Sequence, residues 1–358
     1  MMCRERRRPQ DTSTGDRFVL TPGPFGLSLP NRGVLFGAIT VEQMLEMAAT
    51  AESSGLFDSV WVGDSVLAKP RLESVALLAA LAARTSRAAL GPACMASFPL
   101  RQPILLAQQW ASLDVISGGR TIMVPCIGSG IKGAGGEFGR EYSAFGIDPA
   151  TRAARLEEVV PLLRRLWTED EVSHRGEHYQ FEGVRLEPKP IQPGGPPIWI
   201  ASDPALTAQP HLVERALRRV ARFGDGWMTA IGSPEDFAAR WRQLAGYVAD
   251  EGRDIAMLHS AVHHMVNIND DADAAYAEAK QFLDTYYMTD TTPERMAAWV
   301  SYGGPEQVAE RLQAYVDAGV RTLIVRFASW QPMTQIRRAI DQVLPRVHPR
   351  ATAASAAD

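Results

Sequence analysis

Apolar residues along the chain gather in short runs separated by amphipathic stretches, and the clearest instance lies at 88–129. An apolar run at 88–95 reads as a strand. Ile104, Leu105, Gln108, Ala111, Leu113, Val115 and Ile116 then fall as a stripe on a helix opened by Pro103. Gly118 and Gly119 supply the positive φ that stops this helix, and a second apolar run at 120–127 follows. Two apolar strands joined through one helix make a right-handed parallel βαβ unit with both faces covered.

The same alternation runs through the rest of the chain. Strands are predicted at 25–29, 59–63, 88–95, 120–127, 197–201, 226–230, 257–268 and 322–327. Helices are predicted at 40–53, 72–84, 103–117, 152–167, 211–223, 234–251, 272–287 and 305–318. The fold class is therefore α/β, a single (β/α)8 TIM barrel over 23–348. A β-hairpin insertion at 172–195 follows the fourth helix, and the loops 131–149 and 288–304 serve as lids over the strand ends. Residues 1–22 and 349–358 read as a disordered leader and tail. An open doubly wound sheet would need a Gly-rich phosphate turn after its first strand, and Ser28-Leu29-Pro30-Asn31-Arg32-Gly33 is not one.

A chain of 358 residues with 46% hydrophobic and 22% charged residues buries a large core unaided. The net charge of −4, with basic residues concentrated only at Arg4–Arg8, implies neither nucleic acid nor a membrane surface. No signal-type apolar region and no run of about 18 apolar residues is present, so a cytoplasmic location is expected. Cys3, Cys94 and Cys126 are odd in number and far apart, which argues against a disulfide or a cysteine-based zinc site.

In a (β/α)8 barrel the chemistry gathers where the strands end. The candidates are Asn31, Asp64, Ser65, Cys94, Cys126, Gly128, Ser129, Ser202, Asp203, Thr229, the histidines 259, 263 and 264, and Arg326. No lysine lies at a strand end, which argues against Schiff-base chemistry. The carboxylates there are too few for a two-metal or glycosidase site, and no metal is expected. A mouth this short of acids and bases hands its chemistry to a cofactor. By strand period, either His259 and His263 or His264 faces the barrel interior. Arg326 at the end of an apolar strand needs an anion, either a ligand's or a structural carboxylate.

Several blocks carry a resemblance: SVWVGD at 59–64, LAARTSRAALG at 81–91, P-x-x-L-A-Q-Q-x-A-x-L-D-x-I-S-G-G-R at 103–120, PPIWIAS at 196–202, FGDGW at 223–227 and GGPEQVAERLQAYVDAGVRTLIVRF at 303–327. They resemble the luciferase-like flavin-dependent oxidoreductases, which include bacterial luciferase, alkanesulfonate monooxygenase and the deazaflavin F420-dependent enzymes. The resemblance implies a flavin at the strand ends, usually in a homodimer. It places Asp64 beside the cofactor ring, a non-proline cis peptide at Ala93-Cys94 behind it, and Cys126, Gly128 and Ser129 along the fourth strand end. Ala201 and Ser202 match the loop that gathers the phosphate, and Arg326 is a further candidate for an anion. Ser65 stands where many relatives have histidine, and Ser129 where the sugar dehydrogenases have glutamate. Cys126, His263 and Asp64 are the expected catalytic side chains, Cys126 being either a reactive thiol or a core thiol. The implied activity is monooxygenation of a small organic substrate by reduced FMN and dioxygen, with a separate flavin reductase as partner. The alternative is F420-dependent hydride transfer, and a lesser one is a non-catalytic barrel.

Overall fold

The computed structural model describes residues 20–128, 136–203 and 209–348. Cys3, Ser129, most of the leader, the tail and the first part of the 131–149 segment lie outside the described residues.

Strand β1 (Phe25–Leu29) leads to helix α1 (Val41–Ser54), β2 (Ser59–Val62) to α2 (Ser74–Arg84), and β3 (Ala89–Pro92) to α3 (Pro103–Ser117). After α4 (Phe138–Ala144) and α5 (Arg152–Thr168) comes the antiparallel hairpin β4 (Val172–Arg175) and β5 (Gln180–Val184). The second half runs β6 (Trp199–Ala201), α6 (Pro210–Phe223), β7 (Gly226–Thr229), α7 (Pro234–Asp250), β8 (His259–Ile268) and α8 (Ala272–Tyr287). It ends with α9 (Pro293–Trp299), β9 (Val300–Gly303), α10 (Pro305–Asp317), β10 (Thr322–Phe327) and α11 (Pro332–Arg338). Local signals set the boundaries. Thr40 and Gln43 form a capping box at α1, and Gly55 and Gly118 take left-handed φ of 68° and 73° where α1 and α3 stop.

Parallel pairing orders the strands β3-β2-β1-β10-β8-β7-β6, and segment 121–125 joins the two ends through the bridges Leu90–Thr121, Met95–Pro125 and Met123–Ile198. A regular fourth strand was expected here, and prolines explain why only bridges form. Leu90 donates to Arg120 O at 2.7 Å and Ile122 to Leu90 O at 2.9 Å, but the next donor position on β3 is Pro92, which has no N–H. Pro125 interrupts the other edge; its carbonyl accepts from Ala201 at 2.9 Å and its nitrogen gives nothing back.

Three further expectations change. Leu105, Val115 and Ile116 of the predicted core stripe are exposed, while Leu106, Trp110 and Leu113 are buried. Helix α3 is apolar nearly all round, so periodicity could not choose its face. The presumed lid loops contain regular structure, α4 in one and α9 with β9 in the other, β9 pairing with the upper half of β8. Residues 20–22 belong to the barrel rather than the leader: Leu20 packs on the interior cluster, and Pro22 is buried.

Inside the ring, Trp61 and Trp199 lie 5.5 Å apart, and Trp199 stacks on His259 at 4.6 Å. Glycines on neighbouring strands make the room. A Cβ at Gly26 or Gly91 would come within 2.5 or 2.7 Å of Trp61, and one at Gly226 within 2.6 Å of Trp199. Ala93 and Ala201 pack against this cluster, so the inward positions above the indoles are small.

The polar residues of the resemblance blocks tie the lower rim together. Buried Asp114 accepts from Thr121 Oγ1, Gln192 Nε2 and the backbone N–H groups of Ile191 and Gln192, at 2.7 to 3.1 Å. Arg120 donates to the carbonyls of Ala82, Thr85 and Ala88, closing the end of α2. Asp225 accepts from Ile198 N and pairs with Arg164, both at 2.9 Å. The hairpin docks on α5 through Glu158, which meets His174 Nε2 at 2.9 Å and the N–H groups of His178 and Tyr179.

Candidate active site

The first strand-end carboxylate turns out to be fully committed. Asp64 Oδ1 accepts from Ser74 Oγ at 2.6 Å and Arg101 Nη2 at 3.1 Å, and Oδ2 from Ser97 N at 2.7 Å. Burial would lower Arg101, yet Asp64 and Glu73 hold it above its usual value. Asp64 thus fastens the turn after β3 to α2. The same turn carries Ala93-Cys94, whose peptide is cis.

On the opposite wall, the alternation of β8 sends His259 and His263 inward and His264 outward. His264 Nε2 meets Ser301 Oγ at 2.8 Å and its ring lies 4.7 Å from Tyr315. His259 sits at the lower end against Thr322 Oγ1 at 2.9 Å, so of the three only His263 lies near the mouth. Arg326 Nε and Nη2 donate to Ser28 Oγ at 3.1 and 2.8 Å. That fills the serine's lone pairs, so its proton goes to His263 Nε2 at 3.2 Å and the imidazole carries its own proton on Nδ1. Burial first, then the Arg326 charge, pushes His263 well below the usual histidine range, and it is neutral at pH 7. Arg326 also donates to Leu29 O at 2.9 Å and Tyr287 Oη at 3.1 Å and lies 5.1 Å from the Tyr286 ring. Buried as it is, it has no carboxylate partner among the described residues, contrary to the structural alternative weighed for it.

Lys69 is the residue that strand-end reasoning missed. Carried by the loop after β2, its Nζ lies 5.2 Å from the Tyr287 ring and 5.5 Å from the Phe138 ring. Burial, followed by the charges of Arg71, Arg295 and Arg32, lowers it to about 7. The loop is held by buried Glu141 of α4, which accepts from the N–H groups of Leu67 and Ala68. Arg295 approaches from α9 with its Nε buried and without a hydrogen-bond partner among the described residues. Arg71, Arg295 and Arg326 all lack an ion-pair partner among the described residues. Arg32 donates to the terminal carbonyls of α8 at Thr285 and Tyr286. Sequence offers one faint signal for this group: Ser28 is the only polar residue in the apolar strand FGLSL.

Between the two walls the cysteines meet. Cys94 Sγ and Cys126 Sγ are 2.9 Å apart, although the spacing argument had set them far from any partner. Gly128 takes φ of 67°, and a Cβ there would meet Tyr142 Oη at 2.8 Å and Ala96 O at 3.0 Å. At Ala201 and Ser202, where the phosphate loop was expected, the N–H groups donate to Pro125 O and Met228 O at 2.9 and 3.0 Å, and the Ser202 hydroxyl accepts from Trp227 Nε1 at 3.1 Å. The continuation of this loop at 204–208 lies outside the described residues.

Residues 18–322 match the family model described as luciferase-like monooxygenase. The chain is 25% identical over 336 residues to the F420-dependent glucose-6-phosphate dehydrogenase of Kineococcus radiotolerans, which covers 86% of this chain and 93% of that one. Among solved structures it is similar to an F420-dependent secondary alcohol dehydrogenase in complex with an F420-acetone adduct, at a TM-score of 0.73 and 17% identity over 92% of this chain and 100% of that one. A monooxygenase from Streptomyces bottropensis matches with a TM-score of 0.71 and 22% identity over 91% of this chain and 100% of that one. The last two are likenesses of fold.

Proposed function

Because the chain belongs to the luciferase-like monooxygenase family, we propose that it is an F420-dependent oxidoreductase that takes a hydride from a small alcohol bearing an anionic group. The observation that carries this reading is the cationic mouth: Arg71, Arg295 and Arg326 without carboxylate partners among the described residues, beside a lysine lowered to about 7. Between the two cofactor readings, the names of the relatives favour F420 over FMN with dioxygen, so the monooxygenase reading takes second place.

The residues present fit such a cofactor. The orphaned Arg295 Nε calls for an acceptor, and the small side chains of Ala93 and Ala201 above the indoles leave width for a planar ring. Ala93, Cys94, Gly128, Ala201 and Ser202 would hold the cofactor, and Arg326 and Arg295 the anionic group. When bound, F420 supplies the hydride acceptor. Lys69 Nζ, uncharged in about half the molecules near pH 7, accepts the hydroxyl proton of the alcohol. It replaces the histidine that Ser65 displaces. His263, neutral and held at Nε2 by Ser28, lines the same wall without adding charge. The segments carrying α4 and α9 cover the site and exclude water. A homodimer through the exposed Leu105, Val115 and Ile116 of α3 completes the proposal.

Titration of the full chain with F420 and with reduced FMN, followed by tryptophan fluorescence, tests this. F420 binding at micromolar concentration with weaker FMN binding is expected. Tighter FMN binding restores the oxygen-inserting reading, and no binding of either removes the enzyme's cofactor.

A further inference from the structure

We propose that Cys94 and Cys126 form a reversible oxidation site, a dithiol at the barrel mouth that a peroxide converts into an intramolecular disulfide. The sulfurs are 2.9 Å apart and both are free thiols. The backbones that carry them are already fixed at neighbouring-strand spacing: Met95 N donates to Val124 O at 2.8 Å and Cys126 N to Met95 O at 3.4 Å. The bridge pairs Met95 with Pro125, so the two cysteines lie diagonally across it, one residue to either side, with their sulfurs turned toward each other. A disulfide is about 2.05 Å long, so closing it draws the sulfurs together by roughly 1 Å.

The two thiols divide the work. Cys94 is partly exposed and lies within electrostatic reach of the Lys69 amine, whereas Cys126 is buried. The contact with Cys94, then burial, hold the Cys126 thiol well above its usual range, so it waits protonated while Cys94 meets the oxidant. Cys94 Sγ attacks one peroxide oxygen, the O–O bond breaks, and a sulfenic acid and one water form. Cys126 Sγ then attacks the Cys94 sulfur, the S–O bond breaks, and hydroxide leaves as a second water with the Cys126 proton. Two thiol hydrogens and one peroxide thus become one disulfide and two waters. The sequence-based argument against a disulfide rested on spacing along the chain; both thiols are free, but the fold brings them into contact.

The consequence for binding rests on the F420 reading: the pair lies where the ring is proposed to rest, so a bound cofactor shields Cys94. The test uses the full chain treated with hydrogen peroxide, digested with trypsin and mapped by mass spectrometry. Peptide 88–101 linked to 121–132, two hydrogens lighter than their sum and separated by dithiothreitol, is expected. Cys94→Ser and Cys126→Ser each abolish it. If either variant misfolds, differential alkylation of the unaltered chain decides: both thiols must disappear together. Independent oxidation of each to sulfinic acid, or links made only to Cys3, overturns the proposal. With F420 at about a hundred times its Kd, roughly one per cent of mouths stay open and cross-linking slows about a hundredfold. Unslowed cross-linking would leave the dithiol standing and remove the cofactor from this seat.

Discussion

The two rims of the barrel treat charge in opposite ways. At the lower rim Asp114, Arg120 and Asp225 of the resemblance blocks are each matched. Asp114 takes four donors, Arg120 closes a helix end, and Asp225 meets Arg164. At the upper rim Asp64 and Arg101 are matched in this way, while Arg326 rests on a serine, a carbonyl and two tyrosines. The lower-rim charges of the resemblance blocks are therefore scaffold, whereas Arg326 of the last block reaches the upper rim without a carboxylate partner among the described residues. A charge surrounded by built-in partners stabilises; one left without them is available to a ligand.

The sharpest way to break this contrast is at Asp114. Asp114→Ala leaves buried donors unpaired and is expected to lower unfolding stability by about 4 kcal/mol, read from the urea midpoint. A loss below about 1 kcal/mol would mean that the lower rim is not held by this carboxylate. Arg326→Gln should do the reverse. Its stability cost should be smaller than that of Asp114→Ala, because glutamine keeps a donor near Ser28, but affinity for the anionic ligand falls by roughly thirtyfold, about 2 kcal/mol, measured by fluorescence titration. Unchanged affinity would make the upper rim another scaffold.

The smallest effect is a pH profile. Lys69 titrates at about 7, below its ordinary 10.5, so the amine becomes available as pH rises. The kcat/KM of the unaltered enzyme should climb about tenfold per pH unit below 7 and then level, and Lys69→Met should flatten that limb. The same lowered value means that the unfolded chain binds the extra proton between about 7 and 10.5, so folding stability rises with pH across that window. A limb that survives in Lys69→Met assigns the base elsewhere.

What the sequence disclosed follows the same division. The strand-helix alternation, the Gly118 stop and the cis peptide at Ala93-Cys94 are local or carried by the resemblance, and all are found, while the strand period of β8 left open which of its histidines face inward. The interrupted fourth strand needed Pro92 and Pro125 to be weighed against their ladder partners, which are set by neighbouring strands. Lys69, Arg295 and the cysteine contact depend on where loops return in space, and no periodicity reports that. The face of α3 was misread because an all-round apolar helix offers no contrast to read.

Trp61, Trp199 and His259 occupy the barrel axis from one wall to the other. These three rings form a floor, so whatever binds above them is barred from passing down the axis. If two molecules meet on that floor, the one lying against the indoles is covered by the other.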